Sequence, residues 1–431
     1  MFQLIRISLI FFISLNCFGQ SSDNRDKIKY YTEKAQNYLD KEKALSGYYS
    51  IDEKGITMFA SPADKKNGKP EFFLTWNLYD TFGEKAGYYS YREMLDLYFK
   101  TPEFKLRPRE YPDGVYTKPF DEPHPVLLGF RIAIDPGHIA DNHVTGDLEK
   151  KHIKIKGDSL NGIKDSVEIS EGMLTFATAE LLKEKLEKEG ATVFMTRTAD
   201  KTAFGKTFEQ WKKDDMKRAV DSLYKVGDLS GAQKQYFLGK KAKDRDLFRV
   251  VFRDLELAKR VELINNFHPD FTVVIHYNVD ETNIDWEKCT GKNYNMTFVG
   301  GSFMKNDLST KEKRFEFLRL LITDDLEKSI ALSKAVVRNF ESTLNVTTAD
   351  IHDAQYLVKG CLPSGEKGVY CRNLQLPRYI HSPVVYGETL FQDNINECKL
   401  LNEESDKKKN KRVQQVAEAY YKGIIEYASG K

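Results

Sequence analysis

The chain reads as an α/β protein: a mainly parallel, twisted sheet flanked by helices, with helical insertions and a smaller N-terminal α+β domain. Two observations predict this. Three short apolar strands, Arg131 to Asp135, Phe271 to Ile275 and Pro383 to Gly387, run into His138, His276 and Glu388. Ligands of α/β sheets bind at that carboxyl edge. Beyond residue 130, strand-like and helix-like segments also alternate, the order that builds parallel strands covered by helices.

The N-terminal elements come first. Arg6 precedes an apolar run from Ile7 to Leu15, and Cys17-Phe18-Gly19 follows. This predicts a secretory signal peptide over residues 1–19, since the run is too short to span a bilayer. The mature chain is then exported, to the periplasm or the extracellular space, with no stable membrane span. A lipoprotein ranks below this, because Asn16 is bulkier than the small residue expected before a lipidated cysteine. Residues 20–101 read as an N-terminal α+β domain whose role the sequence does not disclose. Asp26 to Lys43 has helical rhythm, GYYSID and KGITMF form a hairpin around Glu53-Lys54-Gly55, Glu71 to Trp76 adds a strand, and Tyr91 to Tyr98 a helix. Residues 102–129 contain Pro108, Pro112, Pro119 and Pro123 and read as a linker.

Residues 130–431 form the second domain. After the first strand, Glu171 to Glu189 carries Leu174, Ala177, Leu181, Leu182 and Leu186 on one face and stops at Gly190. A strand follows at Ala191 to Arg197, and then a charged, helical tract over residues 202–253, longer than an ordinary connection and read as an insertion. The helix Leu255 to Phe267 leads to the strand ending at His276. A strand near Met296 to Val299, a second charged insertion over residues 303–328 and a helix from Ser329 to Thr343 come next. The last strand ends at Glu388, and a helix from Val413 to Tyr427 closes the chain.

Composition excludes some functions. Lys+Arg 66 against Asp+Glu 64 leaves +2, so no strong field favours nucleic acid. Cys361 and Cys371 flank a Pro-Ser-Gly turn and are candidates for a bridge in an oxidising compartment. Of eight histidines, His138 and His276 end apolar strands, His124, His143, His152 and His268 lie in polar loops, and His352 and His381 are placed between.

The strings IAIDPGH, EGMLTFATAELLKEKLEKEGATVFMTR, FTVVIHYN and SPVVYGETLF, in this order, resemble the four signature blocks of the zinc-dependent N-acetylmuramoyl-L-alanine amidases. The likeness spans roughly 130–427. It implies His138, Glu171 and His276 as ligands of Zn²⁺ and Glu388 as the residue that acts on the attacking water. Glu168, one turn before Glu171, competes as ligand; Glu171 is preferred because the block from it to Arg197 matches without a gap. Two histidines and a carboxylate leave the open position that catalytic zinc requires. The implied reaction is hydrolysis of the amide between N-acetylmuramic acid and L-alanine of the peptidoglycan stem, with a protein activator as a further partner.

Two departures stand out. Ile139-Ala140 replace a usual glycine pair, and Tyr277 replaces a small residue, which predicts a narrower cleft. Either insertion is a candidate lid, with 303–328 preferred because it follows closely on the His276 strand. Two other readings share the residues: a zinc peptidase acting on cell-wall peptides, and a catalytically silent cell-wall-binding protein.

Overall fold

A computed structural model of the chain describes residues 24–85, 125–139 and 142–430. The expected signal peptide, most of the Pro-rich linker and the helix Tyr91 to Tyr98 lie outside the described residues. The helix Asn24–Lys34 is followed by three strands, β1 (Tyr49–Asp52), β2 (Gly55–Met58) and β3 (Phe72–Thr75), all antiparallel. Gly55 has φ +143°, and a Cβ there would sit 2.0 Å from the Leu74 carbonyl oxygen, so the hairpin needs glycine at this position.

The main sheet has seven strands: β4 (Arg131–Pro136), β7 (Thr192–Met195), β8 (Phe271–Asn278), β9 (Met296–Gly300), β10 (Cys361–Pro363), β11 (Val369–Arg372) and β12 (Val384–Phe391). The spatial order is β10-β11-β9-β12-β8-β4-β7. From β12 to β7 the pairings are parallel; β9 runs antiparallel to β12 and parallel to β11. Between β4 and β7 a small hairpin intervenes, β5 (His152–Ile155) with β6 (Val167–Ser170). His143 and His152, expected in polar loops, instead open a helix and this strand.

The helices follow the periodicities. Glu171–Lys188 buries Leu174, Ala177, Leu182 and Leu186, and the chain leaves it through Gly190 at φ +89°. The helices Asp325–Leu344 and Lys411–Ala428 cover the sheet beside it. Tyr277 corrects the expectation of a narrowed cleft. Successive strand residues face opposite sides, so Tyr277 points away from His276 into the core, where its hydroxyl lies 2.8 Å from Thr178 Oγ1.

The segment 303–328 is also not a lid. Its helix Lys311–Ile322 buries Phe315, Phe317, Leu318, Leu320 and Leu321 in one apolar cluster with Tyr31, Leu39 and Phe72 of the N-terminal unit. Arg314 clasps both oxygens of Glu71 at 2.5 and 2.8 Å, and Lys34 donates to the Thr323 carbonyl and pairs with Glu327. Nor do Cys361 and Cys371 bridge: Cys361 registers with Arg372 and Cys371 with Leu362. The thiols that approach each other are Cys289 and Cys398, at 3.9 Å.

The two covering helices meet at Gly423, where a Cβ would lie 2.6 Å from Val336 Cα. Backbone cannot yield as a flexible side chain would. Gly423→Ala is therefore expected to lower stability by about 1–3 kcal/mol, the usual cost of overpacking. Denaturant melts check this: a midpoint lowered with the slope unchanged is expected.

Candidate metal and catalytic site

Three adjacent interior strands, β4, β8 and β12, bring the site together. β12 registers Glu388 directly beside His276 of β8, so both side chains leave the sheet on the same face. Neither strand stops there: β8 continues to Asn278 and β12 to Phe391. β4 ends at Pro136, and the chain turns through Gly137 to His138.

Glu171, the first residue of its helix, aims a fully buried carboxylate between the two histidines. Its Oε1 lies 3.0 Å from His138 Nε2 and 3.1 Å from His276 Nδ1. The two rings stand edge to face, 4.8 Å apart at 89°. His276 is stacked on Tyr386 at 4.7 Å, and the donor atoms of His138, Glu171 and His276 all lie within 4.8 Å of one another. Glu168 is elsewhere: its Oε1 sits 3.1 Å from His152 Nε2.

Close approach depends on Gly137. A Cβ there would meet ring atoms of His276 at 2.3 to 2.7 Å, so any larger residue displaces that ring. His138 has φ +64°, a conformation costing roughly 1–2 kcal/mol for a residue with a Cβ. Buried Arg260 compensates. Its guanidinium donates to the His138 carbonyl at 2.7 Å, to the Pro136 carbonyl at 2.8 Å and to both oxygens of Asp135 at 3.2 Å, and Glu256 accepts from its Nε. Hydrogen bonds to charged groups are worth about 1.5–3 kcal/mol each, enough to outweigh the strain.

Arg197 is buried beside it and donates to the carbonyls of Gly172, Pro136 and Gly137, tying the turn to the Glu171 helix. Burial, and then the positive charge of Arg260, push its pKa down to about 10. Lys151 donates to Glu171 Oε2 at 3.2 Å and lies 4.9 Å over the Trp286 ring. Glu149 accepts the Ile139 N–H.

None of these four supports was found from the sequence. Arg197 carried the clearest signal, because it follows a strand that pairs with β4 at the same edge. Lys151 and Glu149 sit in a charged stretch that reads as a solvated loop.

Charge is divided unevenly. Burial, followed by the nearby charge of His138, pushes His276 down to about 4, so its imidazole is neutral at neutral pH. Burial would also lower His138, but the Glu171 carboxylate outweighs it and the pKa rises. Glu171 itself is held well below the carboxylate range: burial opposes this, and His138 and Lys151 override it. Half-buried Glu388 moves the other way, pushed up to about 8 by burial and then by the negative charge of Glu171. Two neighbouring carboxylates are thus split, one held ionised and one poised to exchange a proton near neutral pH.

The donor set fits a divalent zinc-class ion. His138 Nε2 is buried with no hydrogen-bond partner, although Glu171 Oε1 is 3.0 Å away. The contact is short but wrongly aimed for a hydrogen bond. It approaches the ligand–ligand separation of about 3.3 Å that tetrahedral Zn–N and Zn–O distances near 2.05 Å would set.

A cavity of about 420 Å³ opens on His138 and His276. Its far wall comes from the 202–253 insertion, through Phe248, Arg249, Phe252 and Arg253. The insertion has its own apolar core, built from Phe208, Trp211, Val220, Phe248 and Phe252, and Ile139 packs into it. The residue standing where a glycine was expected therefore anchors the insertion beside the cleft.

Comparison with known proteins places these features in context. The family described as N-acetylmuramoyl-L-alanine amidase (Amidase_3) matches residues 132–426. Similar solved structures include the CwlD amidase from Clostridioides difficile in complex with the GerS lipoprotein, at 19% identity over 70% of this chain and 100% of that one, with a TM-score of 0.39. The catalytic domain of CwlV, an amidase from Bacillus (Paenibacillus) polymyxa var. colistinus, matches at 16% over 70% and 99%, TM-score 0.35. Ami1, an amidase from Mycobacterium smegmatis, matches at 13% over 71% and 99%, TM-score 0.37. No curated protein sequence matches.

The Glu388 shift carries a sign. Its folded pKa lies above the unfolded value of about 4.3, so the folded state holds an extra proton. The stability this confers is complete below that value and is lost as pH rises through about 8. In metal-free protein, Glu388→Gln is expected to flatten the decline in melting temperature between about pH 5 and 8. A variant that tracks the wild type across this window would place the proton on another group.

Proposed function

Because this chain belongs to the N-acetylmuramoyl-L-alanine amidase family, we propose that it is an exported, zinc-dependent peptidoglycan hydrolase that cuts the amide between N-acetylmuramic acid and the L-alanine of the stem peptide. One observation carries the reading: a neutral histidine, a second histidine and a buried carboxylate converge beneath an open cavity, with a carboxyl of raised pKa registered next to them. His138, Glu171 and His276 would hold the ion. Zinc, when bound, polarises a carbonyl and makes water a better nucleophile near neutral pH.

The chain's own residues do the rest. Lys151 and Arg260 keep Glu171 and the His138 turn in place, so the donors are preorganised before substrate arrives. Glu388 takes the proton of the attacking water and passes it to the leaving amine of L-alanine. Phe248 and Phe252 narrow access from one side, and a protein activator acting on this wall belongs to the same reading. Export rests on Arg6 and the apolar run Ile7 to Leu15. No helix among the described residues is long and apolar enough to cross a membrane.

Digestion of purified sacculi, with products identified by mass, tests the reaction. Release of intact stem peptides from glycan, stopped by a chelator, is expected; the first L-alanine left on muramic acid would indicate a peptidase instead. Glu388→Gln should retain zinc and lose turnover by a factor on the order of 10² to 10⁴, the scale of general acid–base contributions. Glu171→Ala should weaken zinc binding far more than Glu168→Ala, and the reverse order in a zinc titration would overturn the ligand assignment.

A further inference from the structure

Arg372 ends β11 without an acidic partner. Its guanidinium is held between two rings, 4.8 Å from the centre of Phe298 and 4.9 Å from that of Tyr356. The side chain is half-buried, yet among the described residues no carboxylate lies within ion-pair distance and no oxygen accepts its N–H groups. Arg260, Arg314, Arg319 and Arg412, which are also withdrawn from solvent, each clasp a carboxylate. Partial loss of hydration normally goes with such a partner, and Arg372 keeps its fixed fork of donors without one.

The pairing registers put this cation on the face of the sheet that carries the site. Glu388 of β12 lies beside His276 of β8 and Met296 of β9; Tyr386 lies beside Phe298, and Gly300 beside Arg372. Alternation therefore points Glu388, Tyr386, Met296, Phe298 and Arg372 the same way. Tyr356, from the helix Gln355–Gly360, bridges the interval. Its ring lies against the guanidinium, and its hydroxyl donates to Met296 Sδ at 3.5 Å, next to Glu388. Burial, and then the charge of Glu388, push that hydroxyl up, while the Asn278 amide and the Arg372 charge work against the rise. One hydroxyl thus feels both the acid and the guanidinium.

Direction matters here, on the reading proposed above. Glu388 hands its proton to the leaving amine, so the stem peptide departs from the metal on the β12 side, away from the wall built by Phe248 and Phe252. The opposite wall of the cavity includes Tyr386 and Leu374, the latter two residues on from Arg372. Beyond β12 come β9 and then β11. Neighbouring strands lie about 4.8 Å apart and an extended peptide advances about 3.5 Å per residue, so crossing to β11 takes roughly three residues.

We propose that Arg372 is a specificity residue, which binds a carboxylate on the second or third residue of the stem peptide. The fork of the guanidinium suits a two-pronged contact with a carboxylate, and the flanking rings hold it in place before the ligand arrives. The inference rests on the amidase reading for the direction in which the peptide runs.

The test uses zinc-loaded full-length protein and two muropeptides that differ only in the stem: one with free carboxylates, the other with each carboxylate converted to a carboxamide. Wild type should cut the first with kcat/KM about tenfold or more higher, the scale of hydrogen bonds to a charged group, and the difference should lie chiefly in KM. Arg372→Gln should bring the acidic substrate down to the level of the amidated one and leave the latter's turnover unchanged. Arg372→Lys, which keeps the charge without the fork, should retain part of the preference. Equal rates of wild type on the two substrates would overturn the proposal, as would an Arg372→Gln variant that loses both alike, the mark of a merely structural role. Calorimetry of the same muropeptides on zinc-loaded Glu388→Gln protein separates the subsite from the reaction. A preference for free carboxylates that Arg372→Gln abolishes upholds the subsite even where another bond is cut, which counts against the proposed function alone. Cleavage of the muramoyl–alanine amide with no such preference upholds the reaction and rejects the subsite.

Discussion

The buried guanidinium of Arg260 holds the geometry on which the site depends. It neutralises Asp135 in the interior and captures the Pro136 and His138 carbonyls, so a residue with a Cβ stays in the left-handed region at the tip of β4. Removing it would leave Asp135 as a buried carboxylate, with the hydroxyl of Thr196 as its remaining side-chain partner. Breaking such a pair typically costs about 3–5 kcal/mol, more than the turn's strain itself. Arg197 extends the same device to the Glu171 helix, which places the third donor. Two cations that touch no candidate ligand side chain thereby determine where the ligands stand.

Much of this was legible in the sequence because the signals are local. An apolar strand ending in a histidine or glutamate announces both the element and its chemistry, and His138, His276 and Glu388 carried that signature. Gly190 ended its helix as its freedom of φ suggests. What escaped depends on pairing between distant residues. The β5–β6 hairpin is only four residues per strand and lies in a charged stretch, so neither its strands nor its histidines stood out. Tyr277 was assigned to the cleft from its neighbour in sequence, whereas strand alternation sends it to the opposite face.

The insertions were visible by length and charge, but their roles followed from packing that composition does not encode. The 303–328 segment hides a nearly fully buried helix among its lysines and glutamates, and its arginines are consumed by Glu71, Glu316 and Asp325. The 202–253 insertion keeps its charges outside and an aromatic cluster within, and Ile139 couples that cluster to the turn at His138.

The placement of His276 on β8 and Glu388 on β12, with β4 leading into the His138 turn, has a consequence for how the protein comes apart. All three are interior strands, hydrogen-bonded on both sides within the seven-stranded sheet. Amides in such strands typically exchange with solvent only through the largest opening events, those close to global unfolding. Fraying of the edges β10 and β7, or movement of the insertion, leaves the central register of His276 beside Glu388 undisturbed. The His276–Glu388 pair therefore shares the cooperativity of the fold itself, whereas His138, on a turn coupled to the insertion, and Glu171, at a helix start, are held by contacts outside those strands.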